Sequence, residues 1–286
     1  VMNQTLSPGA QFRHALTIES PLQIMGTINA YCALMAQRAG YRALYLSGAG
    51  CANASHGLPD LGVTTLEDVL IDARRITRVS ELPLLVDIDT GWEDVTATVA
   101  AMGDAGVAAV HLEDQVSAKR CGHRPNKQCV SITAMQERIE AGVKGKRDAE
   151  FVLLARTDAA AREGVDAAIQ RAQAYVEAGA DAIFAEALTD LSEYAQFCQA
   201  LSVPVLANIT EFGQTPLYTR DELRAHGVAM ALYPLTAFRA MNAMAETVYQ
   251  TVREQGTQQS LVQRMQTREQ LYDYLDYYRA ERELDQ

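Results

Sequence analysis

The run Lys119-Arg120-Cys121-Gly122-His123, with Arg124 and Lys127 close behind, sets a thiol among cations with no apolar neighbour to share a core. A lone cysteine is usually a small buried hydrophobe, so this context is unusual. Neighbouring Lys, Arg and protonated His favour the thiolate, while Gly122 offers its backbone N–H to a ligand with no side chain in the way. Such a loop can bind an anion and move a proton at Cys121, with His123 beside it.

A second constellation is Asp87 and Asp89. At i, i+2 on a strand their carboxylates project from one face, and like charges that close raise each other's pKa unless a cation intervenes. Oxygen ligands, with no His or Cys at metal-type spacing, favour Mg²⁺, or Mn²⁺ in its place, over Zn²⁺. The ordinary alternative is one loop aspartate and one helix N-cap. Arg156, Arg239 and Arg268 are candidate forks for carboxylates, although most surface arginines are merely solvated.

These residues need a frame, and the chain supplies one by alternating short apolar runs with amphipathic stretches. The runs are 22–28, 43–47, 84–89, 107–112, 151–156, 182–186, 204–209 and 228–233, each followed by a helical pattern. That alternation implies parallel βαβ units, and eight of them closed on themselves make a (β/α)₈ TIM-type barrel. A recurring punctuation marks where helices hand over to strands: R-A-G-Y-R-A-L at 38–44, D-A-G-V-A-A-V at 104–110, E-A-G-A-D-A-I at 177–183 and, more weakly, A-H-G-V-A-M-A at 225–231. Each reads as a helix ending on a left-handed Gly. Ser47, Asp87, Asp89, Glu113, Asp114, Arg156, Asp158, Glu186, Asn208 and Thr210 all fall at or just past the final residues of the runs. In such barrels that end carries the active site. N-capping could explain any single Asp, Ser or Thr, but not the arginine and both glutamates. Buried charges of this kind must neutralise one another, a metal or a ligand. A single barrel domain over 1–286 is expected, with 257–286 as a C-terminal helical appendage. Met241, Met244 and Val248, and Leu271, Tyr274, Leu275 and Tyr278, follow helical spacing and are expected to be core.

Composition narrows the partners. The chain has 286 residues and a formal net charge of −11, which disfavours nucleic acid and acidic membranes and points to a small molecule caught by local positive charge. Five cysteines, without C-x-x-C spacing, and an N-terminus lacking a charged-then-apolar layout fit a reducing cytoplasm. No apolar run approaches the ~20 residues needed to span a bilayer.

The K-R-C-G-H run resembles the signature loop of the isocitrate lyase and phosphoenolpyruvate mutase superfamily. The likeness extends over nearly the whole chain, through G-T-I-N-A at 26–30, S-G-A-G at 47–50, D-I-D at 87–89, H-L-E-D at 111–114 and A-N-I-T at 207–210. It implies Mg²⁺ on Asp87 and Asp89, partly through water, with Asp60 of G-L-P-D and Glu113 as supporting acids. It also implies substrate contacts from Ser47, Gly48, Ala49, Cys121, Gly122, Arg156, Glu186, Asn208, Ile209, Thr210, Arg239 and Arg268, and a homotetramer that exchanges a helix after the eighth strand. Relatives usually carry a longer segment after the metal aspartates, so the helix after the third strand is expected to start early or be short.

A metal, an acid/base thiol and several carboxylate clamps suit a retro-aldol-type cleavage beside a carboxylate. Cys121 would protonate the departing carbanion, and Tyr45 at the end of the second run is the candidate base, although an aromatic there is otherwise core. The resemblance favours 2-methylisocitrate as the tricarboxylate, giving pyruvate and succinate. Isocitrate, giving glyoxylate and succinate, is the rival; a non-catalytic dicarboxylate binder is the reading from a different class.

Overall fold

In this computed structural model residues 6–117 and 122–284 are described; Lys119, Arg120 and Cys121 lie outside them. Eight parallel strands close into one barrel in sequence order: β1 Leu22–Gly26, β2 Ala43–Leu46, β3 Leu84–Asp87, β4 Ala109–Glu113, β5 Val152–Thr157, β6 Ala182–Ala185, β7 Val205–Asn208 and β8 Met230–Tyr233. The pairing of β8 with β1, Ile24 opposite Leu232, shuts the ring. The expected (β/α)₈ barrel is therefore present, each strand within two residues of its expected limits.

Two cores follow from the two faces of the strands. Inside the barrel, Leu22, Ile24, Ala43, Tyr45, Leu85, Ala109, Leu154, Phe184, Leu206, Met230 and Leu232 pack together, and Phe12 and Ala15 of the first helix (Pro8–Ile18) join them. Outside, residues of opposite parity meet the helices, as where Val69, Leu70, Ala73 and Ile76 of the helix Leu66–Val79 recur at three- and four-residue spacing. The inward parity continues past the apolar layer: Leu85 leads to Asp87, Ala109 to His111 and Glu113, Leu154 to Arg156, Phe184 to Glu186 and Leu206 to Asn208. Along each strand the inward side chains thus change from apolar to charged or hydrogen-bonding toward the C-terminal end.

The four repeated glycines end their helices as expected, with φ of 96° at Gly40, 81° at Gly106, 112° at Gly179 and 85° at Gly227. The helix after β3 runs over Val95–Asp104, capped by Asp94.

The chain divides into two compact units, one up to Thr236 and one from Ala237. In the second, the helix Thr236–Gln255 has no buried residue, and neither do the helices Arg268–Leu275 and Tyr277–Leu284. This corrects the expected core role of Met241 and of the tail residues Leu271, Leu275 and Tyr278, which are 36–56% exposed. Helical spacing marks an apolar face but does not say what covers it.

Gly26 closes the barrel seam: a Cβ there would lie 1.8 Å from the Pro234 carbonyl oxygen, whereas a Cβ on Gly40 would meet nothing within 4 Å. Gly26→Ala should therefore cost about 3 kcal/mol or more through forced backbone separation, and Gly40→Ala only about 1–2 kcal/mol for a side chain at positive φ. Urea unfolding followed by Trp92 fluorescence separates the two; equal losses would contradict the close approach at the seam.

Candidate active site

The Asp87/Asp89 pair forms by a route other than strand alternation. β3 ends at Asp87, and Asp89 takes a left-handed φ of 50°, so the same-face expectation for an extended i, i+2 pair is corrected. The turn converges the carboxylates instead. Asp87 Oδ1 accepts the Asp89 N–H at 2.9 Å, and Oδ2 accepts the Gly48 N–H at 3.2 Å. A Cβ placed on Gly48 would stand 2.9 Å from Asp87 Oδ2 and 3.3 Å from Asp89 Oδ1. The two carboxylates therefore border one small space that only glycine leaves open. Ser47 helps to shape it, its Oγ accepting the Gly50 N–H at 3.2 Å to cap the turn containing Ala49. The capping alternative thus holds for Ser47, which is buried beside the site.

Tyr45 is 3% exposed and its hydroxyl lies 2.9 Å from His111 Nε2, which is itself 3.7 Å from Asp87 Oδ1. The aromatic is both core and wired to the aspartate pair.

At the ends of β4, β5 and β6 one guanidinium gathers three carboxylates. Arg156 donates from Nε and Nη2 to the two oxygens of Asp158, both at 3.0 Å, and its terminal nitrogens lie 3.5 Å from Glu113 and 3.4 Å from Glu186. Its ring-facing side lies over Phe184 at 5.2 Å. Burial alone would disfavour the Arg156 charge, but Asp158, Glu113 and Glu186 together push its pKa well above the ordinary value. Burial likewise raises Glu186, yet Arg156 first, then His123 and Lys127, more than offset it and hold the carboxyl below its usual range. Asn208 Nδ2 reaches both Glu186 oxygens at 3.3 Å, with Ile209 and Thr210 buried just beyond.

The described end of the signature loop folds onto this cluster. A Cβ on Gly122 would lie 2.6 Å from both Arg156 Nη2 and Glu186 Oε2, so the glycine backbone sits directly on the pair. His123 Nδ1 accepts the Gln214 N–H at 2.8 Å, which puts the ring proton on Nε2, facing Glu186 Oε1 at 3.0 Å. Gly213 permits that contact, since a Cβ on it would be 2.6 Å from His123 Nδ1.

Asp114 has the opposite parity to Glu113 and supports the site from behind. It accepts from Thr157 Oγ1, Tyr175 OH and the Asp158 N–H at 2.8, 2.8 and 2.9 Å. Burial first, then the nearby Asp158 charge, raises its pKa despite those donors. Asp158 and Lys127 stood out in the sequence, but the pairings of Lys127 with Asp158 and of Gln214 with His123, 31 and 91 positions apart, did not. Asp60 lies half-buried in the loop before the helix Leu66–Val79. Arg239 and Arg268 belong to the second unit, on the helices Thr236–Gln255 and Arg268–Leu275. Cys121 lies outside the described residues.

Asp87, Asp89, Glu113, Asp158 and Glu186 are all buried at these strand ends, against the cations Arg156 and Lys127 among the described residues. An excess of carboxylate in a closed space suits a hard divalent cation. Among the described residues no group of three or more His, Cys, Asp or Glu is arranged to hold a metal. A site with two protein carboxylates and several waters is the form Mg²⁺ commonly takes.

Comparison with known proteins shows the family to which the chain belongs. The phosphoenolpyruvate phosphomutase family model matches residues 12–253. The chain is 62% identical to a 2-methylisocitrate lyase of Escherichia coli (strain K12), covering 98% of this chain and 96% of that one. It is 58% identical to a 2-methylisocitrate lyase of Vibrio cholerae, covering 99% and 94%. A crystal structure of 2,3-dimethylmalate lyase, a member of the phosphoenolpyruvate mutase/isocitrate lyase superfamily, superposes with a TM-score of 0.89 at 32% identity, covering 96% of this chain and 94% of that one. No helix among the described residues is long and apolar enough to cross a membrane.

Because its folded pKa is lowered, Glu186 contributes stability that is present above its ordinary value of 4.5 and lost as pH falls below it. Glu186→Gln should therefore melt below the unsubstituted protein at pH 7, and the gap should narrow between pH 5 and pH 3.5. A gap independent of pH would contradict a charge-held carboxylate.

Proposed function

This chain belongs to the phosphoenolpyruvate phosphomutase family, and we propose that it is a carbon–carbon lyase cleaving 2-methylisocitrate to pyruvate and succinate. The near-full-length identity to the Escherichia coli lyase carries the substrate assignment. Propionate catabolism through a methylcitrate cycle in the cytoplasm is the corresponding role.

Asp87 and Asp89 would hold Mg²⁺, or Mn²⁺ in its place, over Gly48, with Asp60 and Glu113 as supporting acids. When bound, the metal supplies a Lewis acid that polarises the substrate's hydroxyl and carboxylate oxygens. Tyr45 withdraws the hydroxyl proton as its own phenolic proton passes to His111 Nε2, 2.9 Å away. The bond between the hydroxyl-bearing carbon and its carboxylated neighbour then breaks; one fragment leaves as pyruvate and the electron pair stays on the other. Cys121 gives that carbon a proton, completing succinate, with His123 assisting. Arg156, locked on one edge by Asp158, offers its other edge to a substrate carboxylate. The Gly122 N–H, Ser47, Ala49, Asn208, Ile209 and Thr210 line the same space, and Glu186 orients Asn208. Fixed donors of this kind are worth on the order of 3 kcal/mol each when charge develops against them.

The open apolar faces of the second unit, including Tyr249 at 74% and Tyr278 at 56% exposure, support a homotetramer in which the helix after β8 is exchanged. Segment 257–286 is the appendage in that assembly, and Arg239 and Arg268 are carboxylate contacts there.

With Mg²⁺, 2-methylisocitrate should release pyruvate faster than isocitrate releases glyoxylate, and EDTA should stop both. Dominant glyoxylate would overturn the substrate. Cys121→Ser should lower turnover about 100-fold or more while leaving substrate affinity within about tenfold, and near-normal turnover would remove the proton donor. Gly48→Ala should weaken Mn²⁺ binding, read by electron paramagnetic resonance, by about tenfold or more. Unchanged affinity would place the metal elsewhere.

A further inference from the structure

Lys127 is only 5% exposed. A buried ammonium is costly unless it is paired and hydrogen-bonded. Its Nζ donates to the Gly122 carbonyl at 2.6 Å and to Asp158 Oδ1 at 3.2 Å. The Asp158 oxygen is the one that also accepts from Arg156 Nη2 at 3.0 Å. Asp158 itself is anchored, its N–H donating to Asp114 Oδ1 at 2.9 Å. One carboxylate thus joins the guanidinium of β5 to an ammonium whose other bond ends on the signature glycine.

The segment between is shaped for this. Pro125 precedes Asn126, whose φ of 63° turns the chain back so that Lys127 reaches Gly122 across five residues. Arg162 Nη1 then pins the Lys127 carbonyl at 3.2 Å. A Cβ on Gly122 would stand 2.6 Å from Arg156 Nη2, so the placement of the Gly122 backbone sets how closely the chain approaches that guanidinium.

We propose that Lys127 is a positioning residue: by bridging Asp158 to the Gly122 carbonyl, it fixes where residues 122–126 sit against Arg156 and hence against the substrate that guanidinium would hold. The inference rests on the lyase reading for its consequence in turnover, but the bridge is a property of the free protein. Asp158 cannot be used to test it, because its loss would also free Arg156. Lys127 is the separable half.

Lys127→Met keeps the length of the aliphatic stem and leaves the Arg156–Asp158 pair intact; Lys127→Arg keeps a cation with several donors. In the full-length protein without substrate, amide hydrogen exchange at residues 122–126 should quicken about tenfold or more in Lys127→Met, the scale of losing a charge-assisted bond. Exchange in β5 should not change, and Lys127→Arg should recover part of the protection. With Mg²⁺ and 2-methylisocitrate, kcat of Lys127→Met should fall at least tenfold and KM should move less than threefold. Unchanged loop exchange, or equal loss of protection in β5 in both variants, would overturn the bridge. Altered loop exchange with kcat within twofold would overturn its role in turnover. Should the unsubstituted protein cleave neither tricarboxylate, the lyase reading fails while the exchange measurement still decides the bridge.

Discussion

A guanidinium buried at the mouth of a closed barrel constrains everything near it. Arg156 is 8% exposed, and such a charge persists only where carboxylates match it and their remaining lone pairs are satisfied. Asp158 meets it with two parallel hydrogen bonds, Glu113 and Glu186 flank it, and each is held in turn: Asp158 by Asp114 and Lys127, Glu186 by Asn208 and His123. Asp114 rests on Thr157 and Tyr175. Several strands and two loops are thereby fixed through one cation. Such a network defines positions to fractions of an ångström, as a site that must orient a carboxylate requires. Its worth lies in geometry, since the desolvation of so many charges offsets much of their attraction.

The barrel supplies this at the ends of its strands through parity. Leu154 and Arg156, Phe184 and Glu186, and Leu206 and Asn208 are neighbours on the inward side of the same strands. The apolar member fills the barrel and the polar member projects above it. Phe184 belongs to both layers, packing in the core while its ring lies beneath Arg156.

Much of this was legible in the sequence because local rules governed it. The eight apolar runs matched strands, and the A-G-x-x-A punctuation matched left-handed glycines, since periodicity and cap geometry depend on a few adjacent residues. The polar strand ends were visible for the same reason. The convergence of Asp87 and Asp89 was foreseen with the wrong cause: the left-handed turn at Asp89, rather than strand alternation, brings the carboxylates together. Partnerships fixed by the closed topology left no local trace. Lys127 finds Asp158 and His123 finds Gln214 only once β4 to β7 lie side by side. Helical spacing revealed the apolar stripe on Thr236–Gln255 but not that a single chain leaves it open.

The balance of charge at the mouth limits what can enter it. Asp87, Asp89, Glu113, Asp158 and Glu186 are buried at the strand ends together with the cations Arg156 and Lys127 among the described residues, so an added carboxylate enters an excess of like charge. At ~6 Å and an effective dielectric of about 20, each like-charge pair costs about 3 kcal/mol, more than one added hydrogen bond returns. Under the proposed reading, a divalent cation held by Asp87 and Asp89 would change that sign locally. Arg156 and Lys127 share Asp158, and Glu113 and Glu186 flank the guanidinium, so much of the attraction of both cations is already engaged within the protein. A counter-charge brought in from outside, rather than the contacts of the described residues, is then what would balance the mouth.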